Sequence, residues 1–285
     1  MIQIKQFLIG VLIMSVADIN QTKAAVEPET GYSRKFVSLI ELVYGGGYLS
    51  QGGREEVKAL LDGVQMQGKR VLDVGCGLGG PVLDLALEFN IDILGVDPEG
   101  WMVLEAKQRL ESVKPQLRGT VAFAIMPDPL SFSQFAEAEF DLILSKEVIL
   151  HVPVEAKLAY FQELHRILKP GGQLIIKDWF ADQSLSESTR KMMDDDGVPF
   201  NLIKLELYQD LLTQAGFSQI QISDGTEQYI KYCEQNEATV QAKKDEIIQK
   251  FGEKDFEYMQ AAWGPQKQAF MNREIRVIKV VAKCS

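Results

Sequence analysis

Short apolar runs alternate with helical patterns of hydrophobic residues from residue 69 onward. Seven mostly apolar runs predict β-strands, at residues 70–74, 91–96, 121–125, 140–144, 173–177, 217–222 and 275–282. Apolar side chains repeat with a helical period at residues 81–89, 101–110, 154–168 and 205–215. Strands that alternate with helices predict an α/β fold, in which helices cover both faces of a mostly parallel sheet.

The pattern divides the chain into parts of one domain. We expect a lid at residues 26–60, a core at 61–223, a helical insertion at 224–272 and the last strand at 273–285. The insertion carries an apolar stripe on a long, charged helix. The residues of that stripe are Tyr229, Cys233, Val240, Ile247 and Phe251.

Residues 1–25 differ from the rest of the chain. Lys5 precedes an apolar run at residues 7–17, and a polar stretch leads to Ala24 and Ala25. This pattern resembles a signal peptide, and the run is too short to span a bilayer as a helix. Export and a cytoplasmic location both stay open, because the segment also suits an amphipathic helix packed on the domain. Any membrane contact is expected only through these residues.

Charge and cysteine content narrow the class of protein. The 285 residues carry a net charge of −10 and no dense run of Lys or Arg, which disfavours a nucleic-acid partner. The three cysteines lie far apart and there are only two histidines, so no metal site is expected. Composition leaves the oligomeric state unknown.

The strongest local signal is a glycine-rich turn at residues 75–80, between the first strand and a helix. Gly75, Gly77 and Gly80 match the spacing of a dinucleotide-binding turn, in which glycines let the backbone approach a ligand. Asp97 ends the second strand, where a carboxylate can bind ribose hydroxyls. Asp73 lies two residues before the turn and can face a cationic ligand.

Three further segments distinguish this turn from that of an NAD enzyme. They are residues 126–129, with Asp128 after the third strand, and residues 140–145 and 168–172 at the fourth and fifth strands. With Asp73 they resemble the class I S-adenosylmethionine-dependent methyltransferases over residues 68–222. The resemblance implies a Rossmann-like, seven-stranded sheet with an antiparallel last strand. It implies S-adenosylmethionine as cofactor, S-adenosylhomocysteine as product and no metal.

Residues 44–53 and 145–151, with Tyr32 upstream, are similar to the phosphoethanolamine N-methyltransferases. In that family a Tyr–His pair closes the site and assists amine deprotonation, which implies these roles for Tyr32 and His151, with Glu147 beside them. The implied cofactor contacts are Leu49, Ser50, Asp73, Gly75, Gly77, Asp97, Pro98, Met102, Asp128, Pro129, Ser145 and Lys146.

The expected substrate is a small-molecule amine. Implied acceptor contacts are Tyr48, Trp179, Phe200 and Lys267, the last as a phosphate-binding lysine. Val198 and Phe200 stand where the family has an Arg and a Tyr that hold phosphate, so an amine without phosphate is a second expectation. Trp179 and Phe200 can face a cationic amine.

The mechanism expected from the sequence needs a base near the amine. A histidine titrates near neutral pH, so His151 suits proton acceptance. A helix that starts near Glu147 would put Glu147 and His151 on one face, where the carboxylate can hold the imidazole. Methyl transfer to oxygen or carbon of a lipid or natural product is an alternative, as is a cofactor-binding protein without catalysis.

Overall fold

A seven-stranded sheet forms the centre of the computed structural model, which describes residues 32–195 and 197–285. The strands are β1 (Arg70–Val74), β2 (Asp92–Asp97), β3 (Thr120–Ile125), β4 (Phe140–Lys146), β5 (Leu168–Phe180), β6 (Phe217–Asp224) and β7 (Arg276–Cys284). Their order across the sheet is β3-β2-β1-β4-β5-β7-β6. β1 to β5 pair in parallel, whereas β7 runs antiparallel to both β5 and β6. The predicted fold class is confirmed, including the antiparallel last strand.

Helices cover both faces of this sheet. They are α1 (Arg34–Tyr44), α2 (Gly53–Leu60), α3 (Gly80–Glu88), α4 (Gly100–Val113), α5 (Lys157–Ile167), α6 (Glu187–Asp195), α7 (Leu205–Gln214), α8 (Thr226–Ala242), α9 (Lys244–Phe251) and α10 (Glu253–Met271). Neighbouring strand residues point to opposite faces. Val71 therefore packs in the cluster that contains α3 and α4 side chains, and Leu72 in the cluster that contains those of α5 and α7.

The bounds of one helix and of β5 differ most from the sequence prediction. The helix predicted at 154–168 begins at Lys157, because a 3₁₀ turn occupies Val154–Ala156. The predicted breaker at residues 169–172 lies inside β5, as an irregularity that shifts the pairing with β4. β5 also extends to Phe180, because β7 pairs with it as far as Arg276. This long-range pairing has no local signal in the sequence.

The predicted helical insertion consists of three helices, α8 to α10, between β6, which forms one edge of the sheet, and its neighbour β7. The predicted stripe is buried at Tyr229, Cys233, Val240 and Ile247, and Phe251 is partly buried. These side chains pack together with Leu39 and Ile40 of α1 in one hydrophobic cluster. The insertion and the segment before β1 therefore cover the same end of the sheet.

The signal-like segment at residues 1–25 lies outside the described residues. Within residues 32–195 and 197–285, no helix is long and apolar enough to cross a membrane.

Candidate active site

The glycine-rich turn lies between β1 and α3, at the carboxyl edge of the sheet. Gly75, Gly77 and Gly79 all have positive φ angles, of 75°, 51° and 81°. A Cβ at Gly75 would lie 2.3 Å from Cγ2 of Val148, so both the conformation and the space require glycine there. The amide of Gly75 donates to the carbonyl of Val96 at 2.8 Å, which fixes the turn against β2.

Asp97 and Asp73 are buried carboxyl groups beside this turn. Asp97 accepts hydrogen bonds from the amides of Gly77 at 2.8 Å and Glu99 at 2.9 Å. Oδ2 of Asp73 has no hydrogen-bond partner. Burial raises the pKa of Asp73 to about 8 and that of Asp97 to about 6, because the charged forms lose water. A buried carboxyl oxygen without a hydrogen-bond partner suits a ligand that brings a positive charge or a donor.

One cavity of about 620 Å³ joins most of the predicted site residues. Among the predicted catalytic and acceptor positions, its lining includes Tyr32, Tyr48, Glu147, His151, Trp179 and Phe200. The predicted cofactor contacts that line it are Leu49, Ser50, Asp73, Gly75, Gly77, Asp97, Pro98, Met102, Pro129 and Lys146. Cofactor and acceptor candidates thus share one space.

Three predicted site residues do not line this cavity. Asp128 is exposed and accepts a hydrogen bond from the amide of Leu130 at 3.0 Å, so its carboxylate caps its own loop. Ser145 is fully buried within β4. Lys267 forms an ion pair with Glu237 at 2.6 Å, because both residues lie on facing turns of the insertion helices.

Glu147 follows β4 with a φ of 56°, a left-handed conformation that is uncommon for a residue other than glycine. Its Oε1 accepts from the hydroxyl of Tyr229 at 2.6 Å and from Nζ of Lys146 at 3.3 Å. The predicted helix from Glu147 is not formed, because a 3₁₀ turn at Ile149–His151 follows instead. The expectation that Glu147 holds the imidazole is corrected: its hydrogen bonds go to Tyr229 and Lys146.

Lys146 connects the end of β4 to the lid. Its Nζ donates to Oγ of Ser50, to the carbonyl oxygen of Gln51 at 2.9 Å and to Glu147. A lysine ammonium has three donors, so all three are used within the protein. The side chain is only 7% exposed. Its role in the structure is to hold the segment at residues 50–51 against β4.

His151 lies at the end of the 3₁₀ turn and faces the cavity. Its Nδ1 is 2.6 Å from the carbonyl oxygen of Pro199, which only accepts, so Nδ1 carries the proton and Nε2 has the lone pair. Burial lowers the pKa of His151 below its ordinary value. The imidazole is therefore mostly neutral at pH 7, and Nε2 can accept a proton.

Buried polar groups beneath this turn hold it in place. Oδ1 of Asp178 accepts from the amide of Leu150 at 3.2 Å, and Nζ of Lys157 donates to the carbonyl of Ile149. The hydroxyl of Tyr208 donates to Oδ2 of Asp178 at 3.1 Å. The backbone that carries His151 is thus bonded to the sheet and to α5.

Several cavity residues come from the insertion and were missed by the sequence analysis. Gln51 of the lid donates to Gln266 of α10, and Nε1 of Trp263 donates to the hydroxyl of Tyr44 at 3.0 Å. All four side chains line the cavity. Gln51 and Tyr44 belong to the segment singled out at residues 44–53, whereas no pattern within α10 marked Gln266 or Trp263.

Within the described part of the chain, no group of three or more His, Cys, Asp or Glu side chains is placed to hold a metal ion.

Comparison with known proteins gives a consistent set of relatives. A family model described as a methyltransferase domain matches residues 49–222. A phosphoethanolamine N-methyltransferase of Triticum aestivum is 30% identical over 230 residues, which are 80% of this chain and 44% of that protein. One of Plasmodium falciparum is 27% identical over 87% of this chain and 91% of its own length. The chain thus spans less than half the length of the Triticum relative.

Solved structures show the same fold. Phosphoethanolamine N-methyltransferase 2 of Haemonchus contortus, in complex with S-adenosyl-L-methionine, superposes with a TM-score of 0.81. The two chains are 24% identical, and the match covers 90% of this chain and 58% of that one. A second structure of that protein contains phosphomonomethylethanolamine and S-adenosylhomocysteine, and its TM-score is 0.79 at 24% identity over 89% of this chain and 58% of that one.

Proposed function

The chain belongs to the methyltransferase-domain family, and from this premise we propose that it transfers a methyl group from S-adenosylmethionine to the nitrogen of a small-molecule amine. The observation that carries the proposal is the shared cavity, which the glycine-rich turn and His151 both line. The relatives named as phosphoethanolamine N-methyltransferases support the choice of nitrogen as the acceptor atom. Because the cofactor is made in the cytosol, we assign the reaction to that compartment.

The residues at the turn fit this cofactor. The buried carboxyl groups of Asp73 and Asp97 lie at the carboxyl edge of a parallel sheet, where such folds bind ligands. Asp97 would hold the ribose hydroxyls, and Asp73, whose Oδ2 lacks a partner, would face the cationic end. When bound, S-adenosylmethionine supplies a methyl group already activated on a sulfonium. The chain's own task is to orient the acceptor and remove a proton.

The acceptor nitrogen needs a free lone pair. An amine with a lysine-like pKa of about 10.4 is protonated at pH 7, and reaching the free base costs about 4.6 kcal/mol. Desolvation in a closed cavity lowers the pKa of the ammonium and so reduces this cost. We assign proton acceptance to Nε2 of His151, since Nδ1 donates to the carbonyl of Pro199.

Tyr32 and Glu147 complete the proposed catalytic set. Tyr32 lines the same cavity, and we assign it to closing the site over the acceptor. Glu147 is a positioning residue in this proposal, since it bonds Tyr229 of the insertion and its negative charge favours the protonated form of His151. Its strained backbone is consistent with such a role, because strain of this kind concentrates at functional sites.

The experiment has two parts on the full chain. Calorimetry should detect binding of S-adenosylmethionine, and Asp97→Asn should weaken it, because Gly77 and Glu99 lose their charged acceptor. Transfer of a labelled methyl group is then measured over a panel of amines, alcohols and lipids. Label on an amine supports the proposal. Label on oxygen or carbon acceptors alone would refute the choice of nitrogen, and cofactor binding without transfer to any acceptor would indicate a protein without catalysis.

A further inference from the structure

The charge of the cavity lining disfavours an anionic acceptor. Among the described residues, the lining carries four carboxyl groups, those of Asp73, Asp97, Glu99 and Glu147. Its basic side chains, within the same described ranges, are Lys146 and His151. Burial raises the pKa of Asp73 to about 8, so this group is mostly neutral at pH 7, but three acidic side chains of the described lining remain against its one lysine. Such an excess attracts cations and repels a phosphate monoester, which carries up to two negative charges.

The donors of these two basic side chains are already used in hydrogen bonds within the protein. The three donors of Lys146 go to Ser50, Gln51 and Glu147. Nδ1 of His151 donates to the carbonyl of Pro199, and burial lowers the pKa of the ring, so the imidazole is mostly neutral at pH 7. Phosphate groups are usually held by several charge-assisted bonds, above all from Arg. The described lining contains no guanidinium group that could form them.

Part of the cavity lining is apolar. We call this part the acceptor wall, and it consists of Ile40, Leu150, Trp179, Val198, Phe200 and Met259. The rings of Trp179 and Phe200 stack with centroids 5.7 Å apart and an interplanar angle of 23°. The ring of Phe200 also lies 5.4 Å from that of His151. Aromatic faces next to the proposed base suit an alkylammonium group and an apolar body, but not a phosphate.

We propose that the acceptor is an amine whose remaining surface is uncharged and apolar, an inference that rests on the proposed function and specifies its substrate class. Lys267, the lysine expected to bind phosphate, is paired with Glu237 and lies outside the lining. The acceptor wall therefore selects against the phosphate-bearing amines that the relatives' names indicate.

Two ethylamines test this inference, because they differ only in the group on the second carbon. Phenethylamine carries a phenyl ring there and phosphoethanolamine a phosphate. We measure their binding to the full chain loaded with S-adenosylhomocysteine, by calorimetry, and their kcat/KM in labelled-methyl transfer. We expect phenethylamine to bind at least about tenfold more tightly and to have a kcat/KM at least about 10²-fold higher.

A variant that adds a positive charge to the acceptor wall tests the same preference in the opposite direction. Val198→Arg places a guanidinium on the acceptor wall, where Val198 is only partly buried. This variant should raise kcat/KM for phosphoethanolamine and lower it for phenethylamine. The matched control is Met271→Arg, at a site that is 55% exposed and does not line the cavity. It should leave both values unchanged.

The outcomes separate this inference from the proposed function. Preference for phosphoethanolamine in binding or transfer by the unaltered chain would overturn the inference and leave amine methylation intact. Tighter binding of phenethylamine without methyl transfer to any amine of the panel would support the binding preference of the acceptor wall and refute the proposed function. Binding of neither amine would overturn the inference, because the acceptor wall would then have been misassigned.

Discussion

Replacement of His151 by alanine is the most direct test of the proposed proton transfer. The change removes Nε2 and leaves the turn, which is bonded through the backbone of Ile149 and Leu150 to Lys157 and Asp178. Cofactor affinity should therefore stay unchanged in calorimetry. Loss of a positioned general base costs about 10²–10⁴-fold in turnover, or about 2.7–5.4 kcal/mol of activation free energy at pH 7.

The pH profile gives a second, independent readout. Burial lowers the pKa of His151 from its ordinary 6.5. At pH 7 at least about three quarters of the molecules then hold the neutral ring, so kcat should be flat from pH 7 upward and fall only in acid. In the variant the proton must go to water. Its kcat should rise about tenfold per pH unit toward the pKa of the amine, so the defect shrinks with pH.

His165→Ala is the matched control, because the other histidine lies on α5. Its Nε2 is 3.4 Å from Sγ of Cys284, and its ring packs edge-on against Phe217, remote from the cavity lining. This variant should keep wild-type turnover and pH dependence. Near-normal kcat in His151→Ala, or an acid limb identical to that of the wild type, would remove His151 from the mechanism.

Three further changes have expected outcomes. Lys177→Met should lower the free energy of unfolding by about 3–5 kcal/mol, because Glu56 loses its cation in a bridge whose side chains are 6% and 4% exposed and keeps the hydrogen bond from the hydroxyl of Tyr232. A paired Glu56→Leu change should restore part of this free energy in urea denaturation. The folded pKa of Asp73, about 8, exceeds its unfolded value of about 3.9. Its contribution to the free energy of unfolding therefore falls as pH rises between these values. The Asp73→Asn variant should lose less stability than the wild type between pH 6 and 8, and it should bind the cofactor more weakly. Gly75→Ala should lower the free energy of unfolding by about 1–3 kcal/mol and abolish cofactor binding in calorimetry, because the φ of Gly75 is 75° and the new Cβ would lie 2.3 Å from Cγ2 of Val148. Gly63 has the same φ with open space around it, so the control Gly63→Ala should bind cofactor normally.

The sheet and the glycine-rich turn could be predicted because their signals are local. Buried parallel strands appear as apolar runs, and the turn needs glycine at positions where the backbone has a positive φ. The position of Asp97 could be predicted in the same way, since it ends a strand at the edge of the sheet where ligands bind. These features are read within a window of a few residues.

The acceptor side of the cavity depends on contacts between distant residues. Gln51 meets Gln266 across 215 positions of sequence, and β5 reaches Phe180 only because β7 pairs with it. Glu147 was misjudged because helical spacing assumes regular backbone, and its left-handed φ breaks the relation to His151. A single sequence shows neither the pairing of distant segments nor an unusual backbone angle at one residue.

Because of the insertion between β6 and β7, the two ends of the cavity, proposed to bind cofactor and acceptor, are built from different parts of the chain. The glycine-rich turn and Asp97 belong to the parallel part of the sheet, whereas α10 contributes Met259 and Trp263 from the connection between the antiparallel strands β6 and β7. Mutational libraries confined to α10 would therefore alter the choice of acceptor while leaving the nucleotide end untouched. We expect that exchange of this one helical connection would change the acceptor without rebuilding the turn that is proposed to hold the methyl donor.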